Sequence, residues 1–546
     1  MLKRAAFVLG LGVSFALPGA AFAGDIIQGD TARLDVKAPQ AVPAGTSRGT
    51  LKIGWFGTLS PKWLAPLTAD QAISTTNSHK YFIHDALVKA APEGLLTLSL
   101  ADKVEASKDF TSYGFHIRDG VKFQDGEPVT AEDVKWTYEN YAGVNEKMYH
   151  GLVASIDTPD ARTVIFHLRQ PSPDFLYLYG GGSTAGNIGW VVPKHYYEKV
   201  GEQGYLDKPV GAGPFSFVGQ QAGTSLELEA FKDYWRRVPG VEKISVTSIK
   251  SPATGLAGLK TGEIDYFTNA APVADQILKD PDIRFDKNFT GSWLLFFPHY
   301  EDAASPFHDR RVREAISLAL NRPFLAVQGT KGLGMPWGNW VVPENPGYVE
   351  IAPAPFDAEK AKQLMADAGF ANGIEIDGLI PFFVEPKTGE RFLANLAAIG
   401  IRGPLQVLEG PQYFATIGRG RNGIESKSTI VMVADSISGP AAMMAQKYGL
   451  CDAPTSFICD PEIEKMWKDY SASLDPAERD RLSGEIQKRV IAEYYVVPTY
   501  RNTFLQAIGP RVLPAGAAED GQGYHKLWDT PLTPFPYPWE DWAVQE

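Results

Sequence analysis

Residues 113–141 of this chain read YGFHIRDGVKFQDGEPVTAEDVKWTYENY, and they predict strand, turn, strand, turn and helix in close succession. Apolar side chains alternate with small or polar ones in the first five residues, which is the period of a half-buried strand. Asp119-Gly120 supplies a tight turn, and a second short strand is expected at 121–123. Thr130 can cap a helix, and Asp133 three residues later completes the pattern of a capping box. The stretch therefore indicates a mixed α/β fold, and turns and a helix start account for its acidic residues.

The length and composition favour a globular protein with more than one lobe. At 546 residues the chain is too long for one ordinary hydrophobic core, and 44% hydrophobic with 12% aromatic residues is ample for burial. The formal net charge of −12 disfavours binding to nucleic acid or to anionic lipid, so no nucleic-acid partner is expected. Beyond the N-terminus, no apolar run reaches the length of a membrane span.

Residues 1–23 have the three parts of a secretory signal peptide. Lys3-Arg4 precede an apolar run, and Ala21-Phe22-Ala23 is typical of a cleavage site. Cleavage is expected before Gly24, and residues 24–49 are expected to form an extended leader. Because the residue directly after the cleavage site is not a cysteine, the sequence predicts a free periplasmic protein rather than a lipid-anchored one. An uncleaved membrane anchor is the alternative.

The residues that usually carry catalysis or bind metals form no convincing pattern. Cys451 and Cys459 are the only cysteines, and in an oxidising compartment they are expected to form a disulfide. With no histidine nearby, the pair makes a poor metal site. Ser47 lies in a Gly-x-Ser-x-Gly sequence, but the hydrophobic strand that should precede a catalytic serine is missing. The sequence therefore predicts no catalytic residue, no metal site and no cofactor.

Four further segments of the chain match a known sequence pattern in its order. They are residues 209–215 (PVGAGPF) with the Tyr-Trp pair at 234–235, residues 255–267 around Gly-Glu-x-Asp, residues 307–322 (FHDRRVREAISLALNR) and residues 356–369. Together with 113–141 they resemble the family 5 extracellular solute-binding proteins, the oligopeptide, dipeptide and nickel binders of bacterial ABC importers. Ala212 and Asn321 depart from the family's usual Thr and Asp, and the resemblance spans about residues 51–505. Within the third segment, a solvated helix face is expected to carry Arg310, Arg311 and Arg313.

The resemblance implies a two-lobed α/β fold of the type II periplasmic binding protein kind, with an extra inserted lobe. Two strands would cross between the large lobes, and the solute would bind in the cleft between those lobes. The implied domains are 50–82 with 200–290 and 503–546 for lobe I, 83–199 for the inserted lobe II, and 291–502 for lobe III. Hinge closure would exclude water, and the solute would stabilise the closed form through its higher affinity for that form.

The resemblance also implies a set of solute-contacting residues. The set is Phe56, Leu59, Trp293, Trp337, Trp340, Asp435, Tyr500 and Arg501. The tryptophans would bury apolar solute surface or a cation, and a purely core role is the alternative. Asp435 ends the apolar strand 430–435, which resembles the Trp-x-Ala-Asp segment whose Asp receives the α-ammonium in peptide-binding members. Met432 stands where that Trp would be, and capping of the turn 436–440 is the alternative role for Asp435.

The function implied by the resemblance is transport. A monomeric periplasmic protein would capture a small solute and deliver it to an inner-membrane ABC permease. A short peptide or an amine-bearing amino-acid conjugate is the expected solute. A receptor or chaperone role on the same fold is the alternative, and a secreted hydrolase lacks the nucleophile and base that it needs. The sequence leaves the identity of the solute and its affinity open.

Overall fold

The structure is a computed structural model of the chain. It describes residues 34, 36–39, 47–60, 66–68, 80–91, 93–143, 146–180, 189–268, 270–382, 386–435, 439–513 and 538–545, with side chains for all of these except 286–290, 411 and 502–504. The expected signal peptide, residues 1–23, lies outside this part of the chain. Within the described ranges, no helix is both long enough and apolar enough to cross a membrane.

The described residues form strands and helices in a mixed order along the chain. The strands are β1 (Thr50–Phe56), β2 (Val88–Ala91), β3 (Gly94–Leu98), β4 (Ala101–Ala106), β5 (Ser112–Ile117), β6 (Val153–Asp160), β7 (Thr163–Leu168), β8 (Phe215–Gln221), β9 (Ser225–Ala230), β10 (Lys243–Ile249), β11 (Tyr266–Phe267), β12 (Arg284–Phe296), β13 (Met335–Pro336), β14 (Ile374–Glu375), β15 (Gly378–Ile380), β16 (Ile401–Arg402), β17 (Thr429–Asp435), β18 (Val496–Ile508), β19 (Val512–Leu513) and β20 (Ala543–Val544). The helices are α1 (Ala131–Glu139), α2 (Glu146–Leu152), α3 (Phe175–Tyr179), α4 (Lys194–Asp207), α5 (Pro252–Thr261), α6 (Ala274–Ile277), α7 (Arg310–Ala319), α8 (Arg322–Thr330), α9 (Ala358–Asp367), α10 (Pro386–Ala397), α11 (Gly410–Ile417), α12 (Met443–Tyr448), α13 (Pro461–Ala472) and α14 (Pro476–Ala492).

One large sheet connects distant parts of the chain. It has ten strands in the order β15-β17-β12-β18-β11-β1-β10-β9-β8, with β13 beside β18. The long antiparallel strands β12 and β18 run through the proposed lobe boundaries at 290/291 and 502/503. They therefore pass from proposed lobe I to proposed lobe III, and the lobe ranges themselves stay a prediction. A separate antiparallel sheet, β4-β5-β7-β6, lies within proposed lobe II.

The stretch 113–141 folds largely as its pattern predicts. In α1 the capping box is complete, because Asp133 N donates to Thr130 Oγ1 at 3.3 Å and Thr130 N donates to Asp133 Oδ2 at 3.0 Å. The short strand expected at 121–123 is reduced to a single bridge to Pro128. Pro128 has no N–H to donate, so the ladder cannot extend across it.

The arginines of α7 differ from the expectation of one solvated face. Arg310 and Arg311 are exposed, whereas Arg313 is buried. The buried guanidinium donates to three backbone carbonyls, those of Phe307, His308 and Glu493. The solvated face is therefore wrong for Arg313, because backbone carbonyls just before α7 and one distant carbonyl, that of Glu493, supply acceptors that periodicity cannot show.

Candidate functional site

Three neighbouring strands place an acid, a hydroxyl and a base in one row. Ser292 of β12 lies opposite Asp435 of β17 on one side and opposite Arg501 of β18 on the other. Directly opposed residues of antiparallel strands project from the same face of the sheet. At about 4.8 Å between strands, the backbones of the two charged residues are roughly 10 Å apart. This arrangement is called the Asp435–Ser292–Arg501 row below.

The Asp435 carboxylate already holds a cation from its own chain. Lys447 Nζ donates to Asp435 Oδ2 at 2.6 Å, and the Tyr448 hydroxyl donates to the same oxygen. Only 15% of the Asp435 side chain and 21% of the Lys447 side chain are exposed. Burial raises the pKa of Tyr448, and the neighbouring carboxylate raises it further, so the phenol stays a donor. A solute ammonium that binds this oxygen would compete with Lys447, and the predicted ammonium-binding role stays a prediction.

The disulfide loop holds the two residues that contact Asp435. Cys451 and Cys459 are bonded, as the sequence predicts. Within the loop that they close, Thr455 Oγ1 donates to the carbonyl of Lys447 at 2.5 Å. The carbonyl of Tyr448 accepts from Ser456 Oγ at 2.9 Å and from the backbone N–H groups of residues 457 and 458. The covalent loop thereby fixes the end of α12 against the carboxyl end of β17.

Arg501, at the other end of the row, is also paired within the chain. Its Nη2 donates to both carboxylate oxygens of Glu344 at 3.0 Å. The guanidinium carbon lies 5.2 Å from the ring centre of Trp337, whose ring stacks on Tyr348 with centres 6.0 Å apart. Only 6% of the Arg501 side chain is exposed. The structure thus brings the predicted residues Arg501 and Trp337 together and adds an acid and a tyrosine.

Trp293 follows Ser292 in β12 and projects from the opposite face of the sheet, because successive residues of a strand alternate, and Tyr500 precedes Arg501 in β18. Their ring centres are 6.4 Å apart, and the edge of Trp293 meets Phe382 at 5.5 Å. The ring of Tyr500 lies so close to Gly329 of α8 that a Cβ there would collide with its hydroxyl. The close approach of α8 therefore requires glycine at this position.

The remaining predicted residues lie in hydrophobic clusters. Trp340 is fully buried in the same hydrophobic core as Trp293. Phe56 and Leu59 belong to two other hydrophobic clusters, beside α5 and under β1 respectively. The backbone N–H of Phe56 donates to Thr268 Oγ1 at 2.8 Å. The structure leaves the solute-contacting roles of these three residues as predictions.

Comparison with known proteins identifies the family. The chain matches the model of the bacterial extracellular solute-binding proteins, family 5 Middle, over residues 96–422, which is more than half of its length. The chain belongs to this family. The family predicted from the sequence is thereby confirmed, and the family 5 chain is a solute-binding protein.

Its relatives within the comparison carry different ligand names. The family 5 chain is 27% identical over 447 residues to di/tripeptide-binding protein 1 of Pseudomonas aeruginosa, covering 74% of this chain and 81% of the relative. It is 27% identical over 345 residues to heme-binding protein A of Haemophilus influenzae, covering 56% of this chain and 60% of the relative. A solved structure of the periplasmic binding protein DppA from Helicobacter pylori, in complex with the peptide STSA, matches with a TM-score of 0.75. That match is 23% identical and covers 92% of this chain and 99% of the other, which confirms the predicted fold class. The relatives are named as binding proteins rather than as enzymes.

A cavity of about 540 Å³ in the family 5 chain lies elsewhere. It is lined by charged and aromatic residues, Asp102, Arg118, Asp119, Lys122, Lys232, Asp233, Tyr234 and Trp235 together with Gly120. None of the predicted solute-contacting residues lines it. The cavity and the row are therefore separate features of the described chain, and the solute-contacting roles of the row residues stay a prediction.

Four residues at the row were not predicted from the sequence. They are Ser292, Glu344, Lys447 and Tyr448. Ser292 directly precedes the predicted Trp293, but only the strand register shows that it faces Asp435 and Arg501. The disulfide was the one local signal that the segment after β17 folds back on itself.

Proposed function

We propose that this protein captures a short peptide or an amino-acid conjugate in the periplasm and delivers it, as a monomer, to an inner-membrane ABC permease. The observation that carries the proposal is the Asp435–Ser292–Arg501 row. A carboxylate, a hydroxyl and a guanidinium can bind the ammonium, amide and carboxylate groups of a peptide-like solute. The name of the Pseudomonas aeruginosa relative supports the same class of solute.

Lys447 and Glu344 balance the charges of the row within the protein. Each forms an ion pair with one end of the row, at 2.6 Å and 3.0 Å respectively. The ammonium and the carboxylate of a solute would therefore take the places of Lys447 and Glu344, and the charged groups of the row would be paired before and after binding. The cost of burying unpaired charges is avoided in both the free and the bound protein.

The row lies on strands that connect the proposed lobes, so a solute bound there can favour closure of the cleft. Strands β12 and β18 pass between the proposed lobes I and III, and the row lies on these strands and on their neighbour β17. A solute that binds the row from the cleft contacts the closed form better than the open form, and only this difference in affinity drives closure. A permease that recognises the closed form then selects the loaded protein.

The location and the lack of turnover belong to the same proposal. The signal-peptide pattern of residues 1–23 supports export, and the Cys451–Cys459 disulfide supports an oxidising compartment. The solute leaves the protein chemically unchanged, because no catalytic residue is predicted at the row.

Mass spectrometry of solute that copurifies with the native protein tests the proposal. A peptide or amino-acid conjugate is expected, and deletion of the gene should abolish uptake of that same solute by the cells. Copurifying heme, or any solute without an amide or amino-acid group, would contradict the solute class. Hydrolysis of the solute by the purified protein would contradict the binding-only role.

A further inference from the structure

The Ser292 hydroxyl is buried without a hydrogen-bond partner. The residue is 0% exposed, and its Oγ makes no hydrogen bond to any described residue. The other buried serines of the described chain all hydrogen-bond through their hydroxyls; they are Ser99, Ser107, Ser305, Ser317, Ser456 and Ser483. An unsatisfied buried hydroxyl destabilises the folded protein, so its presence suggests a function that offsets this cost.

Ser292 occupies the centre of the row, where the surroundings differ from those at the two ends. Asp435 has Lys447 as its counter-ion, and Arg501 has Glu344. The hydroxyl between them faces the same side of the sheet and has no such partner. Each end of the row thus has a counter-ion within the chain, whereas the hydroxyl at its middle has no hydrogen-bond partner among the described residues.

The backbone around Ser292 is irregular on both sides. The pairing of β12 with β18 shifts register between Phe289 and Gly291 and again between Ser292 and Leu294. Such irregularities interrupt the ladder and re-aim side chains, and they are over-represented beside binding and active sites. A short regular segment between two shifts holds Ser292 in line with its charged neighbours.

We propose that the Ser292 hydroxyl is a specificity-determining solute contact that binds an uncharged amide group of the solute. A hydroxyl both donates and accepts, so it can bond either the C=O or the N–H of a peptide-type linkage. This inference rests on the proposed function and assigns the middle of the solute, whereas the charged ends of the row meet its termini.

Calorimetry on solute-free protein tests this inference with dialanine, trialanine and glutathione as probes. Ser292→Ala should weaken the binding of each probe that the wild type binds by about 2- to 13-fold, the range that corresponds to one net hydrogen bond. The melting temperature of the solute-free variant should be unchanged or higher, because the substitution removes an unsatisfied polar group and breaks no bond.

Ser317→Ala is the matched control. Ser317 is also a buried serine, but its Oγ accepts from Arg322 Nη2 at 2.8 Å between α7 and α8 and is not part of the row. This variant should melt at a lower temperature and bind the probes as the wild type does. Ser292→Ala should therefore lower probe affinity without lowering the melting temperature, whereas Ser317→Ala should lower the melting temperature without changing probe affinity.

Three results would overturn the inference. They are unchanged probe affinity in Ser292→Ala, a loss of melting temperature as large as in the control, and failure of the wild type to bind any of the three probes. Failure of the proposed function is a separate result, because it is decided by the solute that copurifies and by uptake in the deletion strain.

Discussion

Lys447 is predicted to compete with the solute for the Asp435 carboxylate. A solute ammonium that binds the same carboxylate oxygen displaces a lysine whose Nζ lies 2.6 Å from Oδ2. Both side chains are mostly buried, so solvent weakens the pair little. A charge-assisted hydrogen bond contributes about 1.5 to 3 kcal/mol, which corresponds to about 10- to 150-fold in affinity.

The perturbation is Lys447→Met, which keeps the length of the side chain and removes its ammonium. For an amine-bearing solute identified by mass spectrometry, calorimetry should show tighter binding by up to that factor. Asp435→Asn should weaken binding by a similar factor, because the neutral amide cannot form the charged pair. In the double variant the gain should disappear, since the lysine competes only where the carboxylate is present.

Lys465→Met serves as the control for loss of a surface lysine. Lys465 forms an exposed i,i+4 pair with Asp469 on α13, with N to O distance 3.0 Å, and its loss should leave affinity unchanged. Weaker binding by Lys447→Met with an intact melting temperature would refute the competition, because the lysine would then contact the solute itself. Unchanged binding by Asp435→Asn would indicate that the carboxylate does not contact the solute and serves only to hold α12.

Three further predictions concern stability and aromatic contacts. Cys451→Ser should lower the free energy of unfolding by about 2 kcal/mol in chemical denaturation, and two titratable thiols in unfolded, unreduced wild type would contradict the disulfide. Burial acts to raise the pKa of Asp460, but bonds from Arg489 and a tyrosine hydroxyl outweigh it and hold that pKa below 3.8. Its carboxylate therefore stabilises the fold above the unfolded-state pKa and loses this effect as pH falls through the folded-state value, so Asp460→Asn should flatten the acid limb of the stability curve; parallel curves would contradict this. Trp337→Ala should weaken solute binding about 2- to 30-fold by removing the ring that faces the Arg501 guanidinium, and equal affinity with unchanged tryptophan fluorescence on binding would argue against a contact.

The sequence by itself determined features that a few neighbouring residues encode. The capping box of Thr130 and Asp133 is one, and the helix starts at Asp309 and Asp475 are others. In each case a side chain bonds a backbone N–H two or three residues away, so no distant segment is needed. The disulfide could be predicted because the chain has only two cysteines.

The family motifs predicted the fold class and the position of a cleft, which local sequence features alone do not determine. The resemblance placed Asp435, Arg501 and Trp337 near a cleft, and the structure brings the last two into contact. What the resemblance could not give was the partner of each charge. A lysine twelve residues beyond Asp435 and a glutamate far from Arg501 are two among many charged residues until the chain is folded.

Only the tertiary structure decided that Ser292 lies between Asp435 and Arg501. Side chains alternate along a strand, so a shift of one residue in register would turn Ser292 away and bring Trp293 into its place. That register depends on how β12 packs between β17 and β18, and these strands come from distant parts of the chain. The same packing buries the serine hydroxyl without a partner, a property that no pattern of neighbouring residues contains.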